Sequence, residues 1–380
     1  MRRALLLIAA ASAVALGGCS LFGSDAPKPA PLESGLAAPT AKVAWTLKID
    51  APAFPMQINA RGDEFVIASN DGVVQAVAAR TGAVLWRADV GRKLAAGVGS
   101  DGKVSAVVTR DNDLVAIIGG KVAWKKPLGT IVIASPFVAG DRVFVLSVDR
   151  TVFAYDAQDG SKLFQMQRPG DALTLSKAGV IGAYQDTLVV GQGQRLTGLD
   201  PLKGLVRWEA SLANPRGTNE VERLADLIGP AYRQGTTICA RTFQTSVGCA
   251  NADRGAPLWM RNAAGSEAIG GDADQIYASD AQDRLSAYKL NNGDTVWLAE
   301  QFLNRKLAAP TGLGGQVMVG DLEGWLHFLD RKTGKTVARL ATDGSAIVGA
   351  PAVLGDIAVV RTDKGGIYAI QAAPAAASSN

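Results

Sequence analysis

One stretch recurs along almost the whole chain and constrains its fold more than any other feature. Its clearest copy is DGVVQAVAARTGAVLWRADV, at residues 71–90. Apolar and polar residues alternate through the first half, a Thr81-Gly82 pair follows, and a second run ends on Trp86. Alternation with a period of two on both sides of a turn predicts a β-hairpin.

The spacing of the copies is typical of β-propeller blades. Aligned copies place Trp45, Trp86, Trp124, Phe164, Trp208, Trp259, Trp297 and Ala338 at the same point of the repeat. Successive positions lie 41, 38, 40, 44, 51, 38 and 41 residues apart. Four-stranded propeller blades repeat about every 40 to 50 residues. We therefore predict an all-β protein, an eight-bladed β-propeller with four-stranded blades.

Such a repeat must stack because a single small sheet leaves both faces in water. Radial stacking buries those faces and leaves only short edges. We expect the repeated Trp residues to wedge between blades. The last strand of a blade, without the first three, is what residues 42–47 resemble. Three strands without a closing Trp occur at the other end of the chain, at residues 350–353, 357–361 and 366–371. The two chain ends should therefore share one blade and close the ring.

The first residues predict export and lipidation. Arg2 and Arg3 precede an apolar run at residues 4–16, which is too short for a membrane span of about 20 residues and is typical of a secretory signal. The ending Leu16-Gly17-Gly18-Cys19 resembles a bacterial lipobox, in which Cys19 becomes the acylated N-terminus. An ordinary signal with an incidental cysteine is the alternative. Two or more acyl chains would hold the protein firmly to a membrane.

These features divide the chain into four parts. We expect a lipoprotein signal peptide at residues 1–18, a lipidated tether rich in Pro, Ala and Ser at 19–40, the propeller at 41–371 and a disordered tail at 372–380. The formal charge is +4, or +2 without Arg2 and Arg3. Such a balance argues against a nucleic-acid partner.

Cys239 and Cys249 lie symmetrically about Gln244. A hairpin that turns there would place them opposite one another on one face. Because export makes oxidation possible, a structural disulfide is our interpretation, with two buried free thiols as the alternative.

Residue types that carry catalysis are scarce. His327 is the only histidine, which excludes a multi-histidine metal site, and its mid-strand position predicts a structural role. Asp156, Asp200 and Asp330 occupy one repeat position before a turn, where Asp side chains bond nearby backbone N–H groups. We predict no enzymatic activity, no metal and no cofactor.

Two segments depart from the repeat. The longest step carries an insert at residues 214–229, in which Asn219, Glu222 and Gly229 predict a short helical turn. A second irregular stretch covers residues 171–177. Propeller inserts usually project from one rim, where binding occurs, so the insert is either a binding loop or a cover over the channel.

A lipobox followed by eight such repeats resembles the BamB family, the outer-membrane lipoproteins of the β-barrel assembly machinery. The repeat itself is shared by all propellers of the pyrroloquinoline-quinone type, so the narrower marks are the lipobox and residues 220–226. The resemblance implies a palmitoylated protein on the periplasmic side of the outer membrane. It also implies that the propeller is monomeric on its own.

The resemblance further implies contacts with the POTRA domains of BamA. Other assembly-complex lipoproteins and unfolded outer-membrane proteins would be additional partners. Ile228 and Ser176 depart from the family pattern, in which an acidic residue and an arginine would stand. The implied contact residues are Leu173, Leu175, Lys177, Glu220, Glu222, Arg223, Leu224 and Asp226.

Two other functions use the same fold. A quinoprotein dehydrogenase would need a central quinone pocket, usually with a carboxylate-bound Ca²⁺, and by family resemblance an adjacent Cys-Cys pair that this sequence lacks. A lipoprotein that binds peptidoglycan or another protein is a third possibility.

Overall fold

Eight antiparallel sheets of four strands each account for the regular structure of the protein. The computed structural model describes residues 27–51, 56–168, 173–175, 177–214 and 224–373. Within these ranges no residue is helical, and no helix could therefore cross a membrane. The prediction of an eight-bladed propeller is confirmed.

Each blade runs from an inner strand at the central axis to an outer strand at the rim. Blades one to four consist of β2 (Asn59–Arg61), β3 (Glu64–Ala68), β4 (Val73–Ala78) and β5 (Val84–Asp89); β6 (Gly99–Ser100), β7 (Val104–Val108), β8 (Asp113–Ile118) and β9 (Lys121–Pro127); β10 (Phe137–Ala139), β11 (Arg142–Leu146), β12 (Thr151–Asp156) and β13 (Lys162–Gln167); and β14 (Ile181–Tyr184), β15 (Thr187–Gln192), β16 (Arg195–Leu199) and β17 (Val206–Ser211).

The remaining blades follow the same order, except that the first strand of the chain completes the last blade. Blades five to eight consist of β18 (Leu227–Gln234), β19 (Thr237–Thr242), β20 (Ser246–Asn251) and β21 (Ala256–Asn262); β22 (Gly270–Gly271), β23 (Gln275–Ser279), β24 (Leu285–Lys289) and β25 (Thr295–Ala299); β26 (Thr311–Leu313), β27 (Gln316–Gly320), β28 (Trp325–Asp330) and β29 (Thr336–Ala341); and β30 (Ala352–Leu354), β31 (Ile357–Arg361), β32 (Gly366–Gln371) and β1 (Lys42–Lys48).

The ring closes where the two ends of the chain meet. Strand β1 pairs antiparallel with β32, and Lys42 lies opposite Gln371. Both chain ends therefore contribute to blade eight, as the incomplete terminal copies of the repeat predict.

Apolar packing lies mainly between blades. Alternate residues of a strand face opposite neighbours, so Val359 packs toward blade one and Val360 toward blade seven. Eight apolar clusters result, and each is shared by two adjacent blades. A blade removed from the ring would expose two of these surfaces to water.

The repeated Trp residues wedge between blades as predicted. The indole of Trp45 donates a hydrogen bond of 2.8 Å to the carbonyl oxygen of Ala79 in the next blade, and Trp297 donates one of 2.9 Å to Arg331. In the next blade a turn glycine lies against the ring. A Cβ atom on Gly82 would lie 2.7 Å from the Trp45 ring, and Gly82 has a φ of +69°. Only glycine meets both requirements without strain.

The strand pairing within blade seven explains why its copy of the repeat has Ala338 where the other copies have an aromatic residue. In the other seven blades the aromatic residue lies opposite Ala, Gly or Cys on the third strand. In blade seven Ala338 lies opposite Phe328, so the large and small residues have exchanged strands. The volume between the strands is kept, but the outer strand of this blade carries little bulk.

The hairpin predicted around Gln244 is present. Cys239 of β19 lies opposite Cys249 of β20, with 4.0 Å between the two Cα atoms, and their sulfur atoms are bonded. Both residues are buried between blades five and six.

We predict that Gly334→Ala destabilises the propeller more than Gly344→Ala. Both glycines have positive φ values, +70° and +76°, so both substitutions strain the backbone. A Cβ on Gly334 would lie 2.5 Å from Trp297, whereas nothing lies within 4 Å of one on Gly344. Displacing the indole should add about 1–3 kcal/mol to the cost, measured by urea unfolding. Equal unfolding midpoints would contradict the wedge.

A charged clamp joins blades six and seven on the side opposite the inserts. Arg331 donates to Asp272 through Nε and Nη2, at 2.5 and 2.9 Å, and Tyr277 donates to the same carboxylate at 2.5 Å. Burial opposes ionisation of Asp272, but the hydrogen bonds from Arg331 and Tyr277 outweigh it and lower its pKa to about 2.

This clamp should make stability depend on pH in acid. Because the pKa of Asp272 is lower in the folded chain than the ordinary 3.8, its contribution is complete above about pH 4. The contribution is lost as the pH falls toward about 2. Asp272→Asn should reduce the loss of unfolding free energy over this interval. An unchanged pH profile in that variant would show that the clamp does not stabilise the ring.

Candidate partner-binding site

The segments that depart from the repeat lie on one face of the disc. In every blade the connections from second to third strand, and from the outer strand to the next blade, lie at the same end of the sheet because neighbouring strands are antiparallel. We call this the loop face. Residues 173–175 and 177 lie between blades three and four, and residues 212–214 and 224–226 lie between blades four and five. These residues therefore lie on the loop face.

Leu173 and Leu175 differ in exposure. Leu173 is 37% exposed. Leu175 is half-buried and packs over the axis of the ring against Ile228, Ala268 and Ala309. Of the two leucines, Leu173 offers the more accessible apolar surface.

Asp226 ties the two segments together. Its carboxylate accepts a hydrogen bond of 2.8 Å from the backbone N–H of Leu175 and one of 3.2 Å from Nη2 of Arg150 in blade three. The side chains of Arg150 and Asp226 are only 14% and 16% exposed. Asp226 therefore joins the connection before blade five to blade three and to the connection between blades three and four, and both of its oxygens have partners within the protein.

The predicted helical turn is wrong at its end. Leu227 and Ile228 belong to the inner strand β18, where Leu227 pairs with Thr242, and residues 224–226 have no regular structure. Leu227 packs in the apolar cluster between blades four and five, and Ile228 packs in the cluster at the axis. The start of the predicted turn lies outside the described residues.

Lys177 forms a second link between connections of the loop face. Its ammonium group lies 2.8 Å from Oε1 of Glu267 and donates 2.6 Å to the carbonyl oxygen of Ser266, both in the connection between blades five and six. These side chains are about one-third exposed. The ion pair links Lys177 to a connection two blades away.

A cavity of about 300 Å³ lies next to this ion pair. Its walls are mainly apolar and include Met56, Ile133, Ile228 and Ala350, with Lys177 and Glu267 at its edge. Among the described residues no group of three or more His, Cys, Asp or Glu side chains is placed to hold a metal ion. The chemistry of this site is apolar contact and ion pairing.

The other polar residues considered in the sequence have structural surroundings. Asp156, Asp200 and Asp330 each accept hydrogen bonds from two backbone N–H groups of the following turn, as predicted. His327 is buried, and its Nε2 lies 2.9 Å from Asp321.

Several site residues predicted from the sequence, for lipidation or for partner contact, lie outside the described part of the chain. They are Cys19, Glu220, Glu222 and Arg223, together with the departure from the family pattern at Ser176. The described ones are Leu173, Leu175 and Lys177, between blades three and four, and Leu224 and Asp226, between blades four and five; Leu224 is half-buried. Arg150 and Glu267 were missed, because their proximity depends on how neighbouring blades close and no local motif marks them.

Comparison with known proteins identifies relatives. The family model described as outer membrane protein assembly factor BamB matches residues 70–299. A protein of that name from Bordetella pertussis is 33% identical, over 94% of this chain and 95% of its own length. The crystal structure of BamB from Moraxella catarrhalis superposes with a TM-score of 0.78 at 21% identity, over 87% of this chain and 99% of that one.

The same fold occurs in an enzyme. Quinohemoprotein alcohol dehydrogenase from Comamonas testosteroni superposes with a TM-score of 0.67 at 14% identity, over 89% of this chain and 77% of that one. At this identity the likeness shows the fold alone.

We predict that Asp226→Asn loosens the segment at residues 173–175 without unfolding the ring. The variant keeps the volume but loses the charge that pairs with Arg150. Hydrogen bonds to charged groups contribute about 1.5–3 kcal/mol, so the Leu175 amide should exchange at least about tenfold faster by hydrogen-exchange mass spectrometry. Asp186→Asn, at an exposed ion pair with Arg207, is the control and should leave this amide unchanged. Equal exchange in both variants would contradict the bridging role.

Proposed function

The chain belongs to the BamB family of outer membrane protein assembly factors, and we propose that it is a non-catalytic scaffold that docks on BamA. It aids the insertion of outer-membrane β-barrel proteins. The observation that carries this proposal is the pair of connections held together on the loop face by Asp226, with Leu173 exposed beside them. Binding residues on loops positioned by a rigid scaffold are the usual arrangement in such folds.

The docking surface consists of apolar side chains beside charged ones. Leu173 and Leu224 supply the apolar contacts, and Leu224 fills a pocket on a POTRA domain of BamA. Arg223, with Glu220 and Glu222, supplies charge at the rim of the contact, where an arginine can form a bidentate pair with a carboxylate.

Lys177 and Asp226 have a different role in this proposal. Each is already paired within the protein, to Glu267 and to Arg150 respectively. Breaking such a pair to reach a partner would cost part of its stabilisation. They act by holding the contact residues in place. Leu175 has the same role, since it packs over the axis.

The membrane anchor is the acylated Cys19 in the inner leaflet of the outer membrane, which keeps the propeller in the periplasm. Two or more acyl chains give lasting attachment where a single chain gives marginal attachment.

A quinoprotein dehydrogenase remains the alternative, supported by the shared propeller fold. Titration with pyrroloquinoline quinone and Ca²⁺ in the presence of a redox dye separates the two functions. Dye reduction at enzymatic rates would contradict a scaffold.

The docking surface predicts the effect of a double substitution. Leu173→Ala with Leu224→Ala should weaken binding to purified BamA POTRA domains at least about tenfold, because central apolar contacts often contribute 2 kcal/mol or more (about 30-fold). Isothermal titration calorimetry measures the change.

A matched pair of leucines lies on the opposite face of blade four. Leu202 and Leu205 are 58% and 63% exposed in the turn between β16 and β17. Replacing both with Ala should leave POTRA binding unchanged. If this control weakens binding as much as the first pair does, the loop face is not the docking surface.

A further inference from the structure

Blade seven holds the segment that precedes the first strand. Residues 27–40, expected from their composition to be a plain tether, lie along this blade. Ala30 donates its N–H to the carbonyl oxygen of Leu303 at 2.8 Å, and Asn304 donates to the carbonyl oxygen of Lys28 at 3.3 Å. Further along, Ala37 forms a β-bridge with Ala338 of the outer strand. The segment therefore contacts the blade at both of its ends.

The polar part of this contact is built into the blade. Arg305 is 3% exposed and forms ion pairs with Asp321 and Glu323. Its Nη1 donates 2.7 Å to the carbonyl oxygen of Ala30. Ala30 thus has both its N–H and its carbonyl group bonded to the connection between blades six and seven, as a residue in a sheet would.

Arg339 makes a second polar contact. It donates through Nη2 to the carbonyl oxygen of Glu33. The guanidinium group of Arg339 also lies 5.4 Å from the centre of the Trp325 ring, which holds it in place. Both arginines bind backbone carbonyl groups, so these hydrogen bonds do not depend on the side chains of the segment.

The contact also has an apolar part. Pro31 and Leu32 lie beside Phe302 and His327, and a small cavity of about 10 Å³ lies among them. The ring of His327 packs edge-on against Phe302 at 4.8 Å, so the only histidine of the chain supports the floor of this contact.

Blade seven is also the blade whose outer strand lacks the repeated aromatic residue. Ala338 stands there, and the bulk has moved inward to Phe328. Other outer strands expose apolar residues such as Leu85, Val122 and Val206, whereas Val337 and Leu340 of blade seven are half-buried. An outer strand without the large aromatic side chain leaves room for an extended chain beside it.

We propose that blade seven carries a peptide-binding groove whose ligand is the chain's own segment at residues 28–37, and that this strap fixes where the membrane anchor leaves the disc. The consequence for the anchor rests on the lipidation proposed above. From Cys19 to Lys42 an extended chain reaches about 80 Å, but from Cys19 to Lys28 it reaches only about 30 Å.

The strap also orients the disc. Leu303 and Arg305 belong to a connection between blades, which lies on the loop face. The anchor therefore leaves from the face that carries Leu173 and Asp226. A docked strap keeps that face on the membrane side of the disc, whereas a released strap would let the disc turn freely.

Hydrogen exchange of the full-length lipidated protein in detergent tests the strap. The Ala30 amide should exchange slowly in the native chain. Leu32→Asn, which places a polar group over Phe302, and Arg339→Gln, which removes the donor to Glu33, should each speed this exchange about tenfold. Ser34→Asn introduces the same side chain at an exposed position and should not. All variants should keep the native unfolding midpoint.

Two results would overturn the proposal. One is a native Ala30 amide that exchanges as fast as in an unstructured peptide. The other is the same exchange rate in Leu32→Asn and Ser34→Asn. Because this measurement involves no partner, its outcome is independent of POTRA binding, which the calorimetry above tests separately.

The anchor geometry is tested in lipid nanodiscs. Energy transfer from a dye on the loop face to acceptor lipids should be lower in Leu32→Asn than in Ser34→Asn, because release of the strap lengthens the free tether. Equal transfer in both variants would show that the strap does not restrain the disc.

Discussion

Packing between neighbouring sheets is the interaction on which the rest of the structure depends. Each blade shares one apolar cluster with the blade before it and another with the blade after it, and eight such clusters close into a ring. Truncating a buried Trp typically costs about 3–5 kcal/mol, so the indoles that wedge between blades form a large part of this packing. The pairing of β1 with β32 completes the ring with strands from both chain ends. No blade can leave without exposing two surfaces.

A closed ring gives fixed positions to loops that have little structure of their own. Residues 173–175, 177 and 224–226 have no regular secondary structure, yet Asp226 bonds to Leu175 and Arg150, and Lys177 pairs with Glu267. Ordering these segments in advance reduces the entropy that a partner would otherwise have to supply on binding. The same ring presents a groove on blade seven that holds the segment preceding the first strand.

The sequence predicts most of the fold because the same local pattern of residues recurs in nearly every blade. The eight blades, the wedging Trp residues and the shared terminal blade all follow from the period and its incomplete end copies. The turn aspartates follow as well, since their bonding partners are two or three residues away.

The candidate site is less predictable because its contacts join distant blades: Arg150 and Asp226 are 76 residues apart, and Lys177 and Glu267 are 90 apart. The helical turn failed for the same reason, since tertiary packing drew Leu227 and Ile228 into a strand. The strap could not be foreseen either, because a segment rich in Pro, Ala and Ser gives no sign that Arg305 will bind its backbone.

The central claim of our proposal is that BamA binds the loop face of the propeller. Site-specific photo-cross-linking in living cells tests this most directly, with the photoreactive residue at position 173 on the loop face or at position 205 on the opposite face. Our account predicts a cross-link to BamA from position 173 and none from position 205. A cross-link to BamA from position 205 alone would contradict it.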